Sequence, residues 1–144
     1  EILMKYAKTL VNPLNNLVKL ANKKGLTMGS KVKLSKSKDI AGYDQITIKP
    51  DWNTGKDYKA SPDLFRDIKF VQTVQLIVLQ YYPEIKTLEC RGLDLSGRHL
   101  PGKKLGINSK FKIKDSKDLD STLSKYTKEL LKEISLFAKY INKK

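Results

Sequence analysis

Apolar residues recur along this chain with two periods, near four and near two, and long segments of the first kind flank short segments of the second. Over residues 2–11, Leu3, Ala7, Leu10 and Val11 share one side of an expected helix. Asn12-Pro13 then restarts it as cap and first-turn proline. Leu14, Leu17, Val18 and Ala21 continue at i, i+3, i+4 and i+7, and Gly25 ends the run. Lys31-Val-Lys-Leu-Ser-Lys-Ser37 alternates, with Val32 and Leu34 inward, as a strand with one wet face requires. Gln45-Ile-Thr-Ile-Lys49 does the same with Ile46 and Ile48, and residues 38–44 join the two as a loop. An Asn-x-Gly turn signal within residues 51–58 leads into a short, polar third strand.

The densest apolar stretch covers residues 61–83, and the spacing predicts a buried helix over 61–82. Ser61 serves as cap, Pro62 as first helical residue and Asp63 as a first-turn acid, and Pro83 stops the helix. Leu64, Ile68, Val71, Val78 and Tyr82 make one stripe, while Phe70, Leu76, Ile77 and Leu79 cover the other sides. The competing reading is a buried strand over 70–82, because Val71, Thr73, Val74, Ile77 and Val78 are β-branched. Residues 86–95 suggest a strand broken by a bulge at Gly92, and residues 96–106 a loop. Asn108-Ser-Lys-Phe-Lys-Ile-Lys114 alternates with Phe111 and Ile113 opposite the lysines. The last helix, 118–141 with Asp118 as cap, is carried by Leu119, Leu123, Tyr126, Leu130, Ile134, Phe137 and Ile141.

These elements give an α+β chain: an α-β-β-β-α core over residues 1–86 and a C-terminal β-β-α extension over 87–144 packed on it. A length of 144 residues is enough for one such unit to bury a core without disulfides. The single cysteine, Cys90, allows no internal disulfide. No apolar run approaches the ~20 residues of a membrane-spanning helix. Glu1 at the start reads as the first residue of a fragment of a longer protein.

The chain is strongly basic. Lys+Arg is 29 against 15 for Asp+Glu, a net +14, which points to a polyanionic partner such as nucleic acid. Nine lysines and no acid lie between Lys5 and Lys38, and six basic residues with no acid between Arg98 and Lys114. Nearly all the excess is lysine, which supplies point charges rather than bidentate forks.

Asn12-Pro-Leu-Asn-Asn-Leu-Val-Lys-Leu-Ala-Asn-Lys-Lys-Gly-Leu26 resembles the first helix of double-stranded-RNA-binding domains, which open with Asn-Pro, place leucines one turn apart and close at Gly-Leu. The following strand, Gly42-Tyr43-Asp44 loop, strand, Asn53–Lys56 turn and long helix are similar to that family's element order over residues 12–83. The resemblance implies a module lying across an A-form duplex, with helix one and the first hairpin loop in successive minor grooves and the start of helix two on the phosphates between them. It implies contacts from Asn15, Asn16 and Lys19, from Tyr43 and Asp44 in the loop, and from Arg66 and Lys69 at helix two, and the first basic block adds Lys23 beside Lys19. The family's Lys-Lys-x-Ala-x-Lys pattern is absent there, and Asp63 and Asp67 oppose the phosphates.

No nucleophile motif or glycine-rich phosphate loop appears, and Cys90 and His99, nine apart, have no second pair for zinc. Asp51, Asp57, Asp63 and Asp67 read as surface charges. The expectation is therefore a non-catalytic RNA-binding module without a cofactor, inside a larger RNA-processing or ribonucleoprotein protein, with an intracellular setting favoured. The alternatives are a protein-interaction or dimerisation module on the same scaffold, or a surface or secreted domain holding anionic glycans.

Overall fold

In the computed structural model of the chain, the residues described are 2–25, 30–50, 76–93 and 108–143. They form α1 (Ile2–Lys23), β1 (Lys33–Lys38), β2 (Asp44–Lys49), β3 (Leu76–Tyr82), a 3-10 turn (Pro83–Ile85), β4 (Thr87–Leu93), β5 (Asn108–Lys112) and α2 (Ser116–Asn142). The architecture is α+β. The five strands make one antiparallel meander in the order β1-β2-β3-β4-β5.

Register places the core. Ile46, Leu79 and Cys90 stand side by side across three strands, Ile48 stands beside Ile77, and all five are fully buried. Onto them pack Leu10, Leu14, Leu17 and Leu123 of the two helices, which share one hydrophobic cluster with the sheet. Helix α1 lies over β1, β2 and β3, and the Phe111–Tyr126 ring contact places α2 against β5. Tyr6 meets Asp120 near the two helix starts, and Lys24, just past α1, meets the Asn142 carbonyl at the other end. The helices are thus parallel, as an odd number of antiparallel strands between them requires.

Helix α1 runs unbroken through Pro13, where a restart at Asn12-Pro13 is expected from the sequence. The proline removes one backbone bond, but Leu10 and Leu14, one turn apart on either side of it, are both fully buried. The apolar stripe keeps its phase across the proline, and tertiary packing holds the helix together. Gly25 ends it at φ +75°, donating to the Asn22 carbonyl.

The helix expected over 61–82 is corrected in its last part: Leu76–Tyr82 is the central strand β3, paired with β2 on one side and β4 on the other. Ile77, Val78, Leu79 and Gln80 are consecutively buried. A strand covered on both faces loses its polar alternation and reads like a helix that is apolar all round. The first part of that expectation, with Arg66 and Lys69, and the third strand expected within 51–58 lie outside the described residues. So does the expected loop over 96–106. The second described helix therefore follows the fifth strand of this sheet.

Gly92 makes no bulge, since Ile77↔Gly92 and Leu76↔Leu93 continue the β3–β4 register. Position 86 falls between β3 and β4, which pair from Tyr82↔Thr87 to Leu76↔Leu93. Helix α2 begins earlier than expected and Asp118 is not its cap. The Asp115 carboxylate accepts the Asp118 N–H at 2.8 Å, and Asp118 returns by accepting the Lys114 N–H at 2.8 Å. The pairing satisfies one first-turn donor, the Asp118 N–H, and the Lys114 N–H just before the helix.

Candidate nucleic-acid interface

The outward side of α1 carries Lys5, Lys8, Asn12, Asn16, Lys19 and Lys23, all exposed and spaced by three or four residues. At 1.5 Å per residue the stripe is about 27 Å long. No carboxylate interrupts it, because residues 2–25 contain none. Its register is fixed from the buried side by Leu3, Ala7, Leu10, Leu14, Leu17 and Ala21. The side-chain Oδ1 of Asn15, one residue off the stripe, accepts the Val32 N–H at 2.8 Å and anchors the approach to β1. Asn15 thus ties α1 to the sheet.

At the C-terminal end of α1 the charge thickens. Lys19 and Lys31 line the two sides of a shallow hollow of about 200 Å³, with Asn15, Val18, Asn22 and Ser30. On the sheet face away from α1, Lys33 and Lys49, both exposed, are direct cross-strand partners on β1 and β2, next to the inward pair Leu34 and Ile48. Like charges set opposite one another in a ladder destabilise it, and an anion bound between them relieves that cost.

The loop between β1 and β2 lies at the opposite end of α1. Tyr43 and Asp44 share an open cleft of about 410 Å³ with Ile2, Leu3 and Leu119. Leu3 and Lys19 are 16 positions apart, or about 24 Å along the helix. The Asp39 carboxylate holds the loop: Oδ1 accepts the Tyr43 N–H at 2.9 Å and Oδ2 accepts Gln80 Nε2 at 2.9 Å. Gln80 is fully buried, and its Oε1 accepts the Tyr82 hydroxyl at 2.7 Å. These bonds, led by the Tyr43 amide, keep the Asp39 carboxyl below the usual range. Gly42, at φ +89°, turns the loop back. The Tyr43 ring meets Tyr82 edge-on at 5.1 Å, and the Glu84 carboxylate pushes the Tyr43 phenol above its ordinary value. Ile40 is left fully exposed at the tip.

Asp44 is neutralised locally: Lys38 Nζ lies 2.7 Å and Lys36 Nζ 3.7 Å from its carboxylate. Lys38 is the main cause of its lowered pKa. Among the residues expected at the interface, the structure brings Asn16, Lys19 and Lys23 onto one stripe and sets Tyr43 and Asp44 at the far end. Lys5, Lys8 and Asn12 join that stripe, and their spacing from Asn16 is visible in the sequence once the helix is taken as continuous.

The outward lysines of α2 differ from those of α1. Lys125, Lys128, Lys132 and Lys139 are exposed too, but Glu129 lies 3.7 Å from Lys132 and Leu136 is exposed among them. Cys90 is fully buried, and burial pushes its thiol up to about 12, so it remains protonated at neutral pH. Among the described residues no three of His, Cys, Asp and Glu gather as a metal cluster, and no helix is long and apolar enough to cross a membrane. Compared with known proteins, the chain matches no family model, no curated sequence and no solved structure.

Proposed function

We propose that this chain is a non-catalytic RNA-binding module, with double-stranded RNA as ligand, working within a larger RNA-processing or ribonucleoprotein protein. The observation that carries this reading is the acid-free stripe Lys5-Lys8-Asn12-Asn16-Lys19-Lys23 on α1. Lysines at both ends neutralise phosphates, and the two amides between them can donate to or accept from ribose hydroxyls and base edges in a shallow groove. A stripe of about 27 Å with a second contact region at the β1–β2 loop suits a rod-shaped polyanion better than a small ligand, which needs its contacts to converge.

The test is a titration of duplex RNA, duplex DNA of the same sequence and heparin at several salt concentrations. Preference for the RNA duplex with a steep salt slope supports the reading. Equal affinity for all three reduces the stripe to unspecific charge, and no binding at low salt removes the proposal.

A further inference from the structure

Among the described strands the sheet has two outer edges, β1 and β5. The Ile113 N–H, just beyond β5, donates to the Lys86 carbonyl at 2.8 Å. Residues in an antiparallel ladder alternate between those that exchange backbone bonds with the partner and those that do not. Counting back from Ile113, Phe111 and Ser109 turn their backbone groups toward β4, while Lys112 and Lys110 turn theirs outward. No described strand meets them there.

The two faces of this edge differ. On the helix side, Phe111 stands edge-on to Tyr126, with centroids 6.4 Å apart. Beside them opens a cleft of about 400 Å³ lined by Phe111, Thr122, Lys125, Tyr126 and Glu129. Its one carboxylate, Glu129, already lies 3.7 Å from Lys132. On the other face Lys110 and Lys112 are exposed, with Glu89 and Thr87 as their cross-strand partners on β4.

We propose that β5 accepts an added strand from a protein partner: an extended segment alternating apolar and acidic residues. Its backbone pairs with the outward groups of Lys110 and Lys112. Because strand side chains alternate between faces, every second residue enters the cleft of Phe111, Thr122 and Tyr126, and the intervening ones meet the two lysines. Charge selects this occupant. Two copies of the chain pairing edge to edge would bring lysine against lysine, a cost that edge lysines commonly impose. A nucleic acid has neither a strand backbone for the edge nor an aliphatic side chain for the cleft. This site lies on β5 and α2, apart from the α1 stripe, and does not depend on the RNA reading.

The test follows backbone amide exchange by NMR during titration with a capped peptide of about eight residues alternating valine and glutamate, long enough to span β5. The control has the same composition with all valines before all glutamates. The expected result is exchange slowed roughly tenfold at Lys110 and Lys112 but unchanged at Ser109 and Phe111, with the alternating peptide alone. Lys110→Pro removes an outward donor at a position where an edge strand tolerates proline, and should abolish binding. Lys110→Gln should weaken it while preserving the alternating pattern. If Lys110→Pro fails to fold, Thr122→Tyr, which fills the cleft from the helix surface, should weaken binding instead. Equal binding of the control peptide, the same protection induced by RNA, or Lys110 and Lys112 amides already protected in the isolated chain would each overturn the proposal.

Discussion

The Tyr6 hydroxyl donates a hydrogen bond of 2.6 Å to the Asp120 carboxylate, joining the two helices near their starts across 114 residues of chain. This bond is the main reason the Tyr6 phenol titrates above its ordinary value, with burial and the Asp120 charge adding to it. Tyr6→Phe should destabilise the chain by about 1 kcal/mol in denaturant titration. Asp120→Asn should bring the Tyr6 titration back toward normal in the ultraviolet. A Tyr6→Phe variant as stable as the parent would mean that the helices are held by their apolar contacts alone.

Pro13 interrupts the hydrogen bonding of a helix that nevertheless continues. Pro13→Ala should therefore stabilise the chain, by about 1–2 kcal/mol of the ~3 that an interior proline costs, since the unfolded chain gains freedom at the same time. Equilibrium unfolding measures it. Destabilisation would instead mean that α1 needs a bend at Pro13 to lie over β1, β2 and β3.

Five of the seven described helices and strands were legible in the sequence. α1, β2, β5 and α2 turn one face inward, so their periods survive, and β1 is marked by Leu34, its one half-buried residue. β3 buries both faces. With Ile77, Val78, Leu79 and Gln80 all buried, it carries no period-two signal, and its strand character was left to the β-branched Ile77 and Val78. β4 was found at the right place but given a bulge, because a glycine in a strand is ambiguous from sequence alone. The α1 stripe was half legible: splitting the helix at Asn12-Pro13 separated Lys5 and Lys8 from Lys19 and Lys23. The bonds from Asp39 to Gln80, and from Asn15 to Val32, join residues whose proximity only the fold creates.

If α1 carries RNA, Lys19→Ala with Lys23→Ala should flatten the salt slope of binding by about one to two units without changing sequence preference. Lys125→Ala with Lys128→Ala, on α2, should change it less. Arg66→Ala with Lys69→Ala, whose basic residues sit among Asp63 and Asp67 in the sequence, should also do less. Fluorescence anisotropy at several salt concentrations reads all three, and a larger loss from the Arg66 and Lys69 pair would move the site off α1.

Cys90 links stability to alkaline pH. Its thiol is raised from 9.0 to about 12 in the folded chain, so the folded state keeps a proton that the unfolded state releases. The corresponding stabilisation is complete below pH 9 and is lost as pH rises toward 12. The thermal midpoint should fall across this window. Cys90→Ala, less stable at neutral pH through its small cavity, should fall less steeply around pH 9, where the unfolded thiol ionises while the tyrosines are still mostly protonated. Parallel curves would assign the alkaline loss to other groups.

Asp39 gives the opposite sign. Its pKa is lowered in the folded chain, so its contribution is present above the ordinary carboxylate range and lost as pH falls through the folded value. Asp39→Ala should lower the thermal midpoint by leaving the buried Gln80 amide without its acceptor, and adding Gln80→Leu should recover part of the loss. Additive losses would show that the two side chains act separately.

The meander has a bearing on how the chain reaches this structure. Each described strand pairs with the next described one, so the sheet's pairings are closer in sequence than the contacts between the helices. The helix pair is different. Its contacts, Tyr6 with Asp120 and Lys24 with Asn142, join the first element to the last. Until α2 docks, the apolar face that it covers around Cys90, Leu88 and Phe111 remains open to solvent. The assembling chain is then most exposed to aggregation when the sheet is nearly complete, and the lysines along its two outer strands keep it apart from its neighbours at that stage.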